Sequence, residues 1–162
     1  MDTHRQEKEF VALVETYQQL IYKVCYVYST ESEPLGDLYQ EVVINLWKSY
    51  PSFRNECKPS TWIYRVALNT CITFFRKTQS RPAVVSLTAD VEQQAESENR
   101  LAQLKELYRL ISRLGKLEKA IILLYLEEKS YQEIAGITGI TRTNVATKLN
   151  RIREKLKKMS NS

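Results

Sequence analysis

Polar and cationic side chains gather near the C-terminus, and their types suit contact with nucleic acid. Arg142, Thr143, Asn144 and Thr147 carry groups that match the edges of DNA bases. Six cations and a single acid, Glu154, follow them: Lys148, Arg151, Arg153, Lys155, Lys157 and Lys158. Recognition helices read the major groove with their N-terminal residues, so this order predicts a segment that binds duplex DNA.

A helix-turn-helix over residues 130–158 would hold these side chains in place. Ser130 followed three residues later by Glu133 is the pattern of a capping box, which predicts where the first helix begins. Gly139 can adopt the left-handed backbone of a tight turn, and Thr141 can cap the second helix.

Small and apolar residues predict how the two helices cross. Ala135 allows a close approach, Ile140 is expected to fill the core, and Val145, ten residues after Ala135, faces the same core. Gly136 lies inside the first helix, where glycine costs about 1 kcal/mol relative to alanine.

Two other interpretations of the basic helix stay open. Cations late in a helix interact favourably with its macrodipole, at about 0.3–1 kcal/mol each, so this helix could be a solvated face. It could also lie on a membrane surface, although it lacks aromatic residues on its apolar side. The helix-turn-helix spacing favours DNA binding over both.

Charge is unevenly distributed along the chain. Basic and acidic residues balance at nine each over residues 1–80, and residues 81–104 carry two basic against four acidic side chains. Residues 105–162 carry thirteen basic and six acidic side chains, so the positive excess lies in the last third. Such a localised basic region predicts a polyanionic partner, either nucleic acid or an anionic membrane.

Residues typical of enzyme active sites are scarce. The one histidine, His4, lies near the N-terminus, and we find no Ser/His/Asp grouping, paired-carboxylate motif or phosphate-binding loop. Cys25, Cys57 and Cys71 are odd in number and lack CxxC spacing, which argues against a disulfide framework or a zinc site. We therefore expect no enzymatic activity, no metal and no cofactor.

The same features predict a cytoplasmic protein. Unpaired cysteines fit a reducing compartment, and the polar start through Glu9 does not resemble a signal peptide. The longest apolar runs, such as residues 120–126, are far shorter than the roughly 20 residues that a membrane span needs.

Composition and periodicity predict an all-α fold with two small helical domains joined by a flexible linker. Apolar residues recur at three- and four-residue steps. The helices that they predict cover residues 5–28, 38–50, 62–77, from 101 to the break at Gly115, 117–128 and the helix-turn-helix. Because the pattern fades around Pro82, we expect domains at 1–78 and 100–162 with a linker at 79–99.

Local signals predict the caps and faces of the second and third helices. Asp37, with Gln40 three residues later, is expected to cap the second helix, and Ser60 or Thr61 the third. The predicted inner faces are Leu38, Val42, Leu46 and Trp47 on the second helix, and Trp62, Ile63, Val66, Ile72 and Phe75 on the third. The opposite side of the third helix presents a polar stripe of Arg65, Asn69 and Thr73, with Arg76 and Lys77 at its end.

Three motifs occur in a specific order: DLYQEVVINLW at 37–47, STWIYRVALNTCITFFRK at 60–77 and the helix-turn-helix at 130–149. In this order they resemble the extracytoplasmic-function (ECF) group of bacterial RNA polymerase sigma factors, within the sigma-70 family. The resemblance covers about residues 10–156. It implies a factor that binds core RNA polymerase and directs promoter recognition and DNA opening.

The resemblance implies several partners. The β′ clamp helices of core RNA polymerase would contact Asp37, Leu38, Gln40, Glu41, Asn45 and Leu46. Asp37 and Gln40 could instead serve only as caps, and both roles can hold at once. The β flap, promoter DNA and an anti-sigma factor that masks the DNA-binding surfaces are the other implied partners.

The resemblance also implies which residues contact DNA. Asn69 matches the base-contacting asparagine of the family, and the loop at 53–58 would cradle a base flipped out of the non-template strand. Phe53 could stack there or belong to the core. The whole set is Asn55, Lys58, Arg65, Asn69, Arg76 and Lys77 in the first domain, and Arg142, Thr143, Asn144, Thr147, Lys148 and Arg151 in the second.

The chain departs from the family at Gly115, which stands where the family often has proline and alters a helix entry, and at Gly136 inside the first helix of the turn motif. Arg142 and Asn144 occupy positions that vary in the family, so the recognised sequence stays undetermined. The alternative function is a stand-alone helix-turn-helix regulator, a class that usually dimerises to match two half-sites.

Overall fold

The computed structural model describes residues 3–53, 55–78 and 98–161, and the side chains of 74–78 and 98–103 are not described. All regular elements within these ranges are helical, which confirms the all-α prediction. The chain divides into two compact units, Met1–Gln93 and Gln94–Ser162. Most of the predicted linker, residues 79–97, lies outside the described residues.

Two helices begin the N-terminal unit where the sequence predicted one. They are α1 (Thr3–Thr16) and α2 (Gln18–Tyr28), and they meet at Tyr17, whose φ of −109° and ψ of 19° leave the helical region. The Tyr17 N–H still donates to the Leu13 carbonyl at 3.1 Å. The apolar periodicity therefore continues across the break, which is why the pattern did not reveal it.

Helix α3 (Leu35–Ser49) begins two residues before Asp37, so the predicted cap at Asp37 is wrong. The Pro34 carbonyl accepts the first helical hydrogen bonds, from the N–H groups of Asp37 and Leu38 at 3.1 Å each. Asp37 instead lies in the first turn, where an acid interacts favourably with the helix dipole. A 3-10 turn, Tyr50–Ser52, follows the helix.

Helix α4 (Pro59–Thr78) also begins earlier than predicted. The Trp62 N–H donates to the Lys58 carbonyl at 3.1 Å, which places Pro59 in the first helical position that proline favours. Ser60 and Thr61 therefore lie inside the first turn, and the predicted caps there are wrong.

The core of the N-terminal unit forms where α2, α3 and α4 pack against one another. Ile63 and Trp62 are buried as predicted, whereas Val66 and Ile72 are half-buried and Phe75 lies outside the described side chains. The residues that α4 buries instead, besides the polar Thr61 and Thr70, are Tyr64, Ala67, Leu68 and Cys71.

The C-terminal unit contains α5 (Glu98–Ile111), α6 (Lys116–Leu126), α7 (Tyr131–Thr138) and α8 (Arg142–Ser160). Helices α6, α7 and α8 pack together around a core that includes Ile121, Leu124, Ile134, Val145, Leu149 and Ile152. Gly115 precedes α6, and its N–H donates to Glu118 Oε1 at 3.0 Å, so the helix entry is capped without the proline.

Candidate nucleic-acid interface

The ends of α7 and α8 form as the sequence predicts. The Glu133 N–H donates to Ser130 Oγ at 3.1 Å, and the Ser130 N–H donates to Glu133 Oε1 at 3.0 Å, which completes the capping box. Gly139 ends α7 with a left-handed φ of 81°, and Thr141 Oγ1 accepts from the Asn144 N–H at 3.1 Å. These contacts set the turn that orients α8.

The crossing of α7 and α8 follows the predicted spacing, with one exception. Val145 is fully buried and Ala135 is half-buried. Ile140 is also only half-buried, so the expectation that it fills the core is wrong. The fully buried apolar residue of α7 is Ile134, one position before Ala135.

The N-terminal half of α8 presents the predicted DNA-contacting side chains to solvent. Five of the six are exposed, and Lys148 is half-buried: the exposed ones are Arg142, Thr143, Asn144, Thr147 and Arg151. The Thr147 hydroxyl donates to the Thr143 carbonyl at 3.2 Å, which leaves its oxygen as an acceptor. One end of the helix is therefore lined with groups that can form hydrogen bonds to DNA.

Two cations further along α8 bind their own domain. Lys155 Nζ lies 2.7 Å from Glu118 Oε2, and the Arg153 guanidinium lies over the Tyr125 ring at 4.6 Å from its centroid. The hydrogen bond from Lys155 holds the pKa of Glu118 below its usual value. Sequence reasoning missed these pairs because their members are 37 and 28 residues apart.

The polar stripe on α4 is exposed as predicted. Arg65, Asn69 and Thr73 all face solvent, and the Thr73 hydroxyl donates to the Asn69 carbonyl at 2.8 Å. The side chains of Arg76 and Lys77 lie outside the described residues. A second exposed surface, which can form hydrogen bonds, thus lies in the N-terminal unit.

A cleft of about 360 Å³ lies beside the loop that precedes α4. Helix α1 and the segment after α3 form its two sides, with Gln6, Glu9 and Leu13 on one and Tyr50, Pro51, Phe53, Asn55 and Pro59 on the other. Asn55 is held at a positive φ of 58°, and Phe53 stacks on Trp62 at 4.5 Å between ring centroids. Lys58 is exposed but is not part of the lining. The sequence showed no link between α1 and this loop, because residues such as Glu9 and Asn55 are 46 positions apart.

The surface of α3 agrees only in part with the residues predicted to contact the polymerase. Gln40 is exposed, and Asp37, Glu41 and Asn45 are half-buried. Leu38 and Leu46 are 0 % exposed in the core, so direct contact by these two side chains requires a different conformation.

Two apolar side chains that the sequence did not assign to this surface are exposed on α3. Ile44 is 46 % exposed, and Trp47, which was expected to face inward, is 38 % exposed. Their spacing from Gln40 places all three on one side of the helix. An exposed apolar pair of this kind is typical of a docking surface.

Groups suited to other chemistry do not assemble in the described part of the chain. No cluster of three or more metal-ligating side chains occurs among those residues, and none of the described helices is long and apolar enough to cross a membrane. Burial raises the pKa of the Cys25 thiol, and neighbouring Cys71 raises it further, so Cys25 is poorly suited to act as a nucleophile.

Comparison with protein families identifies both units. The Sigma-70 region 2 family matches residues 13–81, and the Sigma-70, region 4 family matches residues 104–156. The chain belongs to the sigma-70 family. Region 2 contains α3, the α4 stripe and most of the cleft, whose residues Gln6 and Glu9 precede the matched range, and region 4 contains the helix-turn-helix.

Similar proteins place this sigma factor in the ECF group. The ECF RNA polymerase sigma factor SigX of Bacillus subtilis is 28% identical over 155 residues, covering 90% of this chain and 80% of SigX. SigW of the same organism is 29% identical over 163 residues, covering 92% and 87%. The ECF RNA polymerase sigma-E factor of Escherichia coli is 28% identical over 162 residues, covering 91% and 84%. The chain is therefore a sigma factor that acts in promoter recognition and is not an enzyme.

Two solved structures share the fold of this sigma factor. The sigma factor RpoE in complex with the anti-sigma factor NepR from Bartonella quintana has a TM-score of 0.69 and 17% identity, covering 99% of this chain and 98% of that one. CnrH in complex with the cytosolic domain of CnrY has a TM-score of 0.64 and 16% identity, covering 96% and 89%.

Proposed function

We propose that this sigma factor binds core RNA polymerase through α3, reads an upstream promoter element with α8, and reads and opens a downstream element with α4. One observation carries the proposal: both helices present exposed side chains that can form hydrogen bonds to bases, Asn69 on α4 and the Arg142–Asn144 segment on α8. We further propose functional domains at 1–78 and 100–162, joined through 79–99.

The polymerase contact centres on an α3 surface of Gln40, Ile44 and Trp47, flanked by the acids Asp37 and Glu41. The exposed apolar pair can be buried against the β′ clamp helices, and the acids can add charge complementarity. Leu38 and Leu46 support this surface from beneath, because they are buried in the core. The β flap is the proposed contact for the C-terminal domain.

DNA contacts divide between the two domains. Arg142, Thr143, Asn144 and Thr147 supply groups for base edges, and each well-formed bidentate pair would discriminate by about 1–3 kcal/mol. Lys148 and Arg151, further along α8, would bind phosphates, which position the helix without reading sequence.

The downstream element would be contacted from the N-terminal domain. Asn69 and Arg65 are exposed on one stripe of α4, and the cleft beside Asn55 is large enough to receive an unstacked base. Lys58, exposed next to that cleft, is suited to a backbone phosphate, and Arg76 and Lys77 are proposed to contact phosphates as well.

An anti-sigma factor is a proposed further partner, and the cytoplasm is the proposed location. The support is that RpoE was solved with an anti-sigma factor and CnrH with the cytosolic domain of CnrY. A protein that covers the α4 stripe or the start of α8 would block DNA contact directly.

Transcription in vitro tests the proposal. Core RNA polymerase is supplied with a library of promoter fragments, with and without this protein, and the transcripts are sequenced. The proposal would be supported by protein-dependent transcripts whose templates share two short motifs before the start of transcription. Duplex binding without core binding or transcripts would indicate the stand-alone regulator instead.

A further inference from the structure

Helix α1 places a carboxylate in the cleft where the flipped base is proposed to bind. The cleft of about 360 Å³ has Glu9 and Gln6 on one side, with Phe53, Asn55 and Pro59 on the other. The aromatic ring and the proline offer apolar surface to a base, and the polar side chains surround it with hydrogen-bonding groups. Only Glu9 among these groups carries a charge.

Glu9 pairs with Arg5 one helical turn earlier and lies close to Tyr50. Arg5 Nε donates to Glu9 Oε1 at 3.2 Å, and Tyr50 lines the same cleft as Glu9. Burial raises the pKa of Tyr50, and the charge and hydrogen bond of Glu9 raise it further. Because a carboxylate has about four acceptor sites, Glu9 can still accept from a ligand in the cleft.

We propose that Glu9 selects the base that enters this cleft, favouring cytosine and adenine over thymine. Cytosine N4 and adenine N6 donate at the position where thymine presents the O4 acceptor, and a carboxylate can only accept. Asn55 and Gln6 have both donors and acceptors, so they can bind any base and do not make this distinction. The inference rests on the proposed function of the cleft.

Selection from a random pool tests this inference. Holoenzyme, formed from the full chain and core RNA polymerase, is mixed with single-stranded non-template oligonucleotides randomised across the downstream element, and bound molecules are sequenced. We expect thymine to be depleted about tenfold at one position. Glu9→Gln should abolish the thymine depletion at that position and leave the other selected positions unchanged, because the glutamine amide can also donate to thymine O4. Glu15→Gln, an exposed change on α1 outside the cleft, is the matched control.

A paired test uses the preferred base and its analogue. Replacing cytosine by 2-pyrimidinone, or adenine by purine, removes only the exocyclic amino group. The wild-type holoenzyme should lose about tenfold in affinity on this replacement, whereas a Glu9→Ala holoenzyme should lose nothing, because the analogue and the alanine remove the same hydrogen bond.

The outcomes separate this inference from the proposed function. If the wild-type holoenzyme selects no position at all, promoter recognition itself is contradicted. If it selects a sequence and Glu9→Gln leaves the thymine depletion unchanged, the role of Glu9 alone is overturned. Loss of core binding by Glu9→Gln would show that Glu9 is structural, which also overturns it.

Discussion

The side-chain amide of Asn45 donates a 2.9 Å hydrogen bond to the Thr70 hydroxyl, which joins α3 to α4. Thr70 in turn donates to the Val66 carbonyl at 2.7 Å, so its oxygen is fixed in one orientation. Asn69, the proposed base-contacting residue, immediately precedes Thr70. A hydrogen bond inside the domain thus connects the proposed polymerase-binding helix with the DNA-reading helix.

Removing this hydrogen bond should destabilise the N-terminal unit. We expect Asn45→Ala and Thr70→Val each to lower the free energy of unfolding by about 1–2 kcal/mol, because the first removes the donor to the Thr70 hydroxyl and the second leaves the partly buried Asn45 amide without this acceptor. Urea unfolding of the full chain, followed by fluorescence, reports on this unit because both tryptophans, Trp47 and Trp62, lie in it. The double variant should lose less stability than the two single variants lose together. Additive losses would show that the two side chains are not coupled.

Gly136 and Gly139 should respond oppositely to alanine. Gly136 is exposed inside α7, and a Cβ there would meet nothing within 4 Å, so Gly136→Ala should stabilise the C-terminal unit by about 1 kcal/mol. Gly139 has a φ of 81°, so Gly139→Ala should destabilise it by about 1 kcal/mol despite equally open space. Hydrogen exchange of the α7 amides measures both. A shift in the same direction for both variants would refute this account.

The pair formed by Glu118 and Lys155 should make the stability of the C-terminal unit depend on acid pH. The pKa of Glu118 is lowered in the folded state, so its contribution is present above the unfolded pKa and is lost as the pH falls through the folded value. As the pH falls from about 5 to about 3, the thermal unfolding temperature of Glu118→Gln should therefore decrease less than that of the wild type.

Circular dichroism of the full chain follows this unfolding. Glu154→Gln, an exposed change on α8, is the control and should keep the wild-type profile. Identical pH profiles for Glu118→Gln and the wild type would rule out the linkage.

Two cations of α8 should differ in their effect on DNA binding. Arg151 is exposed, whereas Lys155 is paired with Glu118. Arg151→Ala should weaken binding to all duplex sequences alike. It should also reduce the slope of log affinity against log salt concentration by about 1, as expected for a phosphate contact. Lys155→Ala should change the slope much less. The slopes are obtained by measuring the affinity for duplex DNA at a series of salt concentrations. An unchanged slope for Arg151→Ala would exclude a phosphate contact by Arg151.

Exchanging one residue on each proposed surface should separate polymerase binding from promoter opening. Ile44→Ser removes apolar area from the α3 surface and should weaken core binding several-fold. Asn69→Ala should leave core binding intact but impair opening, which permanganate reactivity of unpaired thymines detects. Equal loss of both activities in Asn69→Ala would contradict a role specific to DNA.

Local signals in the sequence were sufficient for the helix-turn-helix. The capping box at Ser130 and Glu133, the left-handed Gly139 and the cap at Thr141 all formed as predicted, because each depends on residues within four positions of one another. Periodicity likewise revealed the helices and the exposed stripe of α4. It missed the break at Tyr17 because the apolar repeat continues through it.

Only the tertiary structure decided which face of each helix meets another helix. Periodicity had placed Leu38, Leu46 and Trp47 on the inner face of α3, and the motif at 37–47 also marked the two leucines as contact residues. Packing against α2 and α4 buries the leucines as periodicity predicted, but it leaves Trp47 exposed together with Ile44. Folding also joins residues that are distant in the chain. Asn45 and Thr70 are 25 positions apart, Glu118 and Lys155 are 37 apart, and Glu9 and Asn55, which line one cleft, are 46 apart. Short-range propensity carries no information about such distant pairs, because chain folding alone brings them together.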